Sequence, residues 1–456
     1  MSGRLGDLFP RAQGSALEWA NANRAAAVAV QIAAVGTGVI LLLGRIPGTP
    51  AWDGIYAEDL GVFLRNALQH PWQLLIPYAG YMQLVPQSLG QIASMLPLQD
   101  AAAFLAIGGA LVASACALFI FHASAGHIQS PMLRALLALA VVLMPVAPLE
   151  IADSGVNTPW YLMMATFWAI LWRPRTRAGM VIAALLAFLT VSSNALAVVF
   201  APLLILRSIA LPRWREHAVT AGFALGVLAQ GPYMFGLVGG TGARLSVHKL
   251  SRPGQASAFY GHRVVLPALG WHLSWVLRDA MGINPATLLV AGLLAVIFGW
   301  ALITQPRIAR LFVLTALITG FVFTIVATTV SWWVTILPNS PHGEPGSRYT
   351  NVPILLLEAA AIVAVDWQLR GARMRISRDR GPWGGLRSVA AAVALAAVLA
   401  AGWISDYRYA GNRSNVTVWP STSATWLKAC HADPTGTIYV KMGSARAGIP
   451  CVNIHG

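Results

Sequence analysis

Residues 25–43 read AAAVAVQIAAVGTGVILLL, nineteen positions without a charge. As a helix rising about 1.5 Å per residue this run is about 28 Å long, close to the hydrocarbon thickness of a bilayer. It exceeds the apolar core of a signal peptide and has no small-residue cleavage site after it, so it reads as a retained first span. Further apolar stretches follow near 101–121, 132–149, 160–172, 178–192, 195–211, 218–238, 286–304, 311–331, 351–366 and 388–404. The segment at 160–172 is short, and Pro159, tolerated in a first helical turn, marks an earlier start. The chain is 57% hydrophobic and 10% charged, with mean hydropathy +0.64. Soluble domains carry about 25% charged residues, so a soluble protein is excluded. The expected fold is an all-α polytopic membrane protein of about eleven transmembrane helices.

Thirty-one basic residues against sixteen acidic give a net charge of +15. No nucleic-acid recognition motif accompanies the charge, and topology explains it better. The connections carrying Arg173, Arg175 and Arg177, then Arg207, Arg213 and Arg215, then Arg307 and Arg310, then Arg370, Arg373, Arg375, Arg378, Arg380 and Arg387 all fall on one side. With the N-terminus cytoplasmic, 18 basic and 5 acidic residues lie inside, and 13 basic and 11 acidic lie outside. An odd number of spans then puts the tail outside, where a Cys430–Cys451 disulfide is favoured by an oxidising compartment. Arg outnumbers Lys by 28 to 3, a bias of GC-rich bacterial genomes, so the expected location is a bacterial inner membrane.

The outward segments 44–100, 239–285, 332–350 and 405–456 hold most of the non-membrane sequence. The working surface therefore faces outward. Residues 1–404 form the transmembrane domain and 405–456 a small outer tail, in which Thr437 to Lys441 alternates like a strand. In the first loop Leu60, Phe63, Leu64 and Leu68 follow helical spacing. Trp72 to Leu96 is expected to add one or two interfacial helices.

Asp53, Glu58 and Asp59 form the densest acidic cluster, beside the membrane surface, where carboxylates serve as general bases or metal ligands. The plainer role for Asp59 is to cap the helix that starts at Leu60. Tyr78 and Tyr81, at i, i+3 and so on one helical face with Gln83 nearby, offer an aromatic platform for a sugar or headgroup, or an interface belt. Asp153 is either a second acid of that site or, with Asn157 and Thr158, a cap for the next helix. Arg244, His248, Lys249, Arg252, His262 and Arg263 make the third outward segment basic where topology does not require it. Such a cluster suits a phosphate, or anionic lipid. Arg348 and Tyr349 open a late span, where a cation at a helix N-terminus needs an anion, Glu344 or a ligand. Glu358 is an intramembrane acid, a functional candidate by default unless a buried Arg or backbone group pairs with it. No P-loop, HExxH, GxSxG or paired CxxC occurs in usable context.

With acids just after the first span, a long outward first loop bearing interfacial helices, and Arg348-Tyr349 before a late span, the chain resembles the polytopic glycosyltransferases of the GT-C superfamily. The resemblance covers most of residues 20–366. It implies a sugar donor linked to polyprenyl phosphate, a glycan, lipid or protein acceptor, and single inverting displacement in the bilayer. Glu58 or Asp59 would be the catalytic base, Asp53 a supporting acid, and Arg348 with the basic loop the phosphate site. Cationic groups, or a divalent metal such as Mg or Mn held by the acids, would stabilise the departing phosphate. A lipid-linked sugar flippase or transporter is the alternative outside enzymes, and a polysaccharide polymerase or ligase the second enzymatic one.

Overall fold

The computed structural model describes residues 5–11, 23–45, 47–56, 58–146, 150–152, 154–238, 253–330, 347–378, 383–409, 416–442 and 445–454. Asp153, Arg244, His248, Lys249, Arg252, His342 and Glu344 lie outside the described residues. The molecule is a bundle of apolar helices. In chain order they are α1 (Arg24–Leu43), α2 (Arg65–Gln69), α3 (Leu84–Ser94), α4 (Ala101–Ala123), α5 (Pro131–Leu143), α6 (Thr158–Leu171), α7 (Arg177–Ser193), α8 (Ala201–Ala210), α9 (Ala218–Met234), α10 (Pro253–Tyr260), α11 (Trp271–Met281), α12 (Ile283–Thr304), α13 (Arg307–Val330), α14 (Arg348–Arg378), α15 (Trp383–Asp406) and α16 (Trp419–Ala432). Every stretch expected to cross the membrane contains a helix, and five helical segments among the described residues are long and apolar enough to span it. Those five are Ala25–Leu43, Leu98–Gly126, Ile283–Thr304, Arg307–Val330 and Arg348–Gly371.

Helix starts carry the expected chemistry. Ser130 caps Leu133 N–H with Pro131 next in the chain, and Thr176 caps Gly179 N–H at 3.1 Å. Two helices are enclosed by the rest. All fourteen residues of α6 are buried, as are Val352 to Val365 in α14. Their apolar side chains join one core running through the bundle. At about 21 Å, α6 is shorter than the hydrocarbon layer, which a helix enclosed by protein need not match.

Polar contacts gather at the two ends. At one end the N-terminal stretch inserts Leu8 and Phe9, and Leu8 O meets His127 Nε2 at 3.1 Å. Glu216 there receives Arg173 at 2.7 Å, Arg11 at 3.5 Å and Arg207 at 3.8 Å. Arg307 pairs with Asp7 at 3.7 Å, and Arg370 donates to Asp366 and to His127 O. This is the arginine end.

At the opposite end the tail folds onto the first loop. Strand β1 (Gly54–Ile55) pairs antiparallel with β2 (Thr417–Val418), and Trp419 Nε1 donates to Leu98 O at 2.7 Å. Ile55, Leu60, Leu64 and Leu68 share a core with Trp419, Trp426 and Ile449. A hairpin of β3 (Thr437–Met442) and β4 (Ala445–Pro450) follows, and the Cys430–Cys451 disulfide ties it to α16. Gln69 Nε2 donates to Gly448 O across the junction. The tail is packed into the first loop rather than appended to it.

Candidate functional site

Of the one or two helices expected from Trp72 to Leu96, the first loop forms one, α3, and leaves Trp72 to Gln83 outside it. Tyr78 and Tyr81 instead exchange backbone hydrogen bonds, 3.1 and 3.3 Å, around a two-residue turn with Ala79 at φ 53° and Gly80 at φ 85°. Two consecutive positive φ values define the tight turn that suits Asn-Gly or Gly-Gly, and Ala79 adopts it under strain. A helical i, i+3 face for the two tyrosines is therefore corrected to a turn that presents them from its two ends. Buried glutamines fix this irregular backbone. Gln230 Oε1 accepts from Met82 N at 2.9 Å, Gln87 donates to Ile76 O at 3.0 Å, and Gln91 both accepts from Trp72 N and donates to His70 O. These amides satisfy peptide groups that no helix or sheet pairs.

Beside the turn, the chain from Glu58 enters a π-helical stretch, Asp59–Leu64, before α2. Such a stretch shifts side-chain direction within a helix and recurs at functional sites. Close approach of α3 holds it, since a Cβ on Gly90 would stand 2.8 Å from Phe63 O. The two acids diverge at this point. Asp59 is buried and accepts from Ser154 Oγ at 2.7 Å, Gly155 N at 3.1 Å and Val156 N at 2.7 Å. Its oxygens hold the 154–156 segment in place. Rather than capping the helix from Leu60, it anchors a neighbouring loop. Glu58, one residue earlier, keeps its side chain 21% exposed and faces Arg348, Oε1 to Nη1 at 3.5 Å.

Arg348 is the centre of the cluster. Its Nε lies 3.5 Å from Glu150 Oε1, and its own N–H and Ser347 Oγ donate to Glu150 Oε2 at 3.1 and 3.2 Å. Among the described residues the anions that meet the helix-start arginine are Glu58 and Glu150, supplied by other segments. Arg348 also lies 5.6 Å from the Tyr349 ring, which packs edge-on against Trp160 at 5.3 Å. Phe63 meets Tyr78 edge-on at 5.9 Å. Burial, then the Glu58 carboxylate, raise the Tyr78 phenol above its ordinary value. Burial and Tyr349 do the same for Tyr81, so both remain neutral hydrogen-bond donors at neutral pH. The assembled surface is a cation between two carboxylates, walled by aromatic rings.

Other expected residues fall elsewhere. Asp53 sits in a short turn before β1, and among the described residues no ion pair joins it to Arg348. Gln83 is buried at the start of α3. Arg263 lies in a second π-helical stretch, Gly261–Val265, where burial pushes its guanidinium down to about 10 against the opposing pull of Glu150. His262 Nε2 meets Asn284 Oδ1 at 3.1 Å. Among the described residues no three His, Cys, Asp or Glu side chains gather as a metal-ligand set. Glu358 is buried in α14, and among the described residues neither carboxylate oxygen has a hydrogen-bond partner. A buried arginine as its mate is not found there.

Sequence reasoning missed Glu150, Ser347 and the clamping glutamines. Glu150 closes an apolar run two positions before Ala152, and an acid at the mouth of a span was the available signal. Gln230 lies within an apolar helix and gave none. No protein-family model, curated protein or solved structure matches the chain.

Proposed function

We propose that this protein is a membrane glycosyltransferase that moves a sugar from a polyprenyl-phosphate donor to an acceptor hydroxyl at the outer face of a bacterial inner membrane. The observation that carries the reading is the Glu58–Arg348–Glu150 cluster, in which one carboxylate stays partly open beside a cation. In the reaction Glu58 takes the proton from the acceptor hydroxyl as its oxygen bonds to the anomeric carbon. The bond from that carbon to the phosphate oxygen breaks on the opposite face, inverting the centre. The phosphate leaves as an anion, stabilised by Arg348. It needs no general acid. Glu150 holds Arg348 in position through both the side chain and the backbone N–H. Tyr78 and Tyr81 offer ring faces and neutral hydroxyls to the sugar. The acceptor is a glycan, lipid or protein of the envelope.

The GT-C-like architecture belongs to the same proposal, with eleven crossings and the N-terminus cytoplasmic. Contact of the first loop with the tail supports an odd number, because an even number of crossings must separate two segments on one side. The arginine end, holding residues 5–11, is the cytoplasmic side by the positive-inside rule.

The test is transfer of labelled sugar from a polyprenyl-phosphate donor by the purified protein in vesicles, with Glu58→Gln beside it. A new glycosidic bond that disappears in the folded Glu58→Gln protein supports the reading; undiminished transfer by that variant ends it. Glu358, without a partner among the described residues of the bundle, favours one second reading, a flippase for a lipid-linked sugar. That reading requires lipid movement between leaflets without a new glycosidic bond.

A further inference from the structure

A separate pocket lies where the second π-helical stretch, α11 and the start of α12 meet. His262, Arg263, Ser274, Trp275, Arg278 and Ile283 line it. Its cations are not explained by topology, since this segment follows α9 on the side of the bundle that carries the tail. The Arg278 guanidinium lies over the Trp275 ring at 4.3 Å, which orients it at the pocket rim. Trp275 itself buries an indole N–H that finds no acceptor among the described residues. Burying an amide-like donor unpaired is costly, and an anionic oxygen would satisfy it. Ser274 is buried, with its hydroxyl donating to Trp271 O.

The surroundings identify the source of the anion. Helix α11 exposes Leu273, Val276 and Met281, and α12 exposes Leu288, Leu289, Leu293 and Val296. These side chains need an acyl environment, which puts the pocket beside the lipid boundary, and neither Glu58 nor Arg348 is among its lining residues. Asp279, exposed beside Arg278, is the only acid on α11, and on the inner side Glu150 draws on Arg263. Arg263 and Arg278 are the two cations that line the pocket.

We propose that this pocket binds the phosphate of an anionic phospholipid from the outer leaflet, with Arg278 and Arg263 as the cationic contacts and the Trp275 indole N–H as a donor. The site holds the interfacial helix α11 at headgroup depth, and α11 in turn is fixed to the bundle by Asp406, which accepts from His272 N at 2.8 Å and from Trp271 N.

The experiment is native mass spectrometry of the full-length protein released from nanodiscs of phosphatidylglycerol mixed with phosphatidylcholine. The expected result is retained phosphatidylglycerol in preference to phosphatidylcholine, with the preference falling about fivefold in Arg278→Gln, the weight of one interfacial cation. Trp275→Phe, which keeps the ring and removes the donor, lowers retention in the same direction and serves if Arg278→Gln fails to fold. Equal retention of the two lipids, or a preference untouched by both substitutions, overturns the proposal. So does displacement of the phospholipid by equimolar inorganic phosphate or polyprenyl phosphate, which would make the site one for a free anion or for the sugar donor. Glu58→Gln leaves lipid retention unchanged, so failure here and failure of the transferase reading are separate results.

Discussion

The two ends of the bundle carry mirror-image ion clusters. At the arginine end one carboxylate, Glu216, is surrounded by Arg11, Arg173 and Arg207, the closest approach being 2.7 Å. At the tail end one guanidinium, Arg348, lies between Glu58 and Glu150, both at 3.5 Å. Arg207 is 1% exposed and also donates to Glu216 O and Trp172 O, so its hydrogen bonds are spent inside the protein. Arg348 and Glu58 are each 21% exposed, with loose geometry that leaves room for a third group. Tight, saturated charge fixes chain segments to one another. Loose, partly open charge leaves room beside it for a further group.

That contrast is open to attack from both ends. The largest effect is expected at the tail end, where Glu58→Gln should cut sugar transfer by about 10²–10⁴-fold, the range of a lost general base. Thermal stability should be unchanged. Its neighbour should behave in the opposite way. Asp59→Asn should cost about 2–3 kcal/mol of stability by weakening a buried, three-bonded carboxylate, read as a lowered melting midpoint in detergent. If both substitutions act alike, the distinction between site and anchor is lost.

At the arginine end, Glu216→Gln should be destabilising by about 3 kcal/mol, because Arg207 would then lose its charge partner while buried. Salt titration of the melt separates the two clusters, as the buried one should respond less. His127, in the same end, gives a pH signature. Burial pushes it down to about 3, so the folded protein holds it neutral while the unfolded chain takes a proton near 6.5. Its contribution is complete above about 6.5 and is lost as pH falls toward 3, at about 1.4 kcal/mol per unit. Melts at pH 7 and pH 5 should therefore differ by about 2 kcal/mol from this group, and His127→Phe should flatten the slope. The smallest effect belongs to the strained turn. Ala79→Gly should stabilise by about 1 kcal/mol through relief of the left-handed backbone, a shift in melting that leaves transfer intact.

Much of the helical layout is legible in the sequence, for a physical reason. Hydrocarbon imposes a length and a composition on any segment that crosses it, and those leave a local record. The strand at Thr437 left a similar record in its alternation. The tyrosine turn was misread because i, i+3 spacing is also the spacing of a tight turn, and the bonds that choose between them come from Gln87, Gln91 and Gln230. Glu150 escaped notice because its importance is its distance to Arg348, a residue 198 positions later.

By itself the sequence determined that this chain is a helical membrane protein, where its apolar helices lie and which connections carry the basic charge, all of which follow from short-range composition. Only the tertiary structure decided that Asp59 is an anchor and Glu58 is open, that Glu150 completes the cluster and that the tail is packed into the first loop. Neighbouring carboxylates have the same chemistry in one dimension. They acquire different roles when packing buries one against three donors and leaves its neighbour facing a cation and solvent.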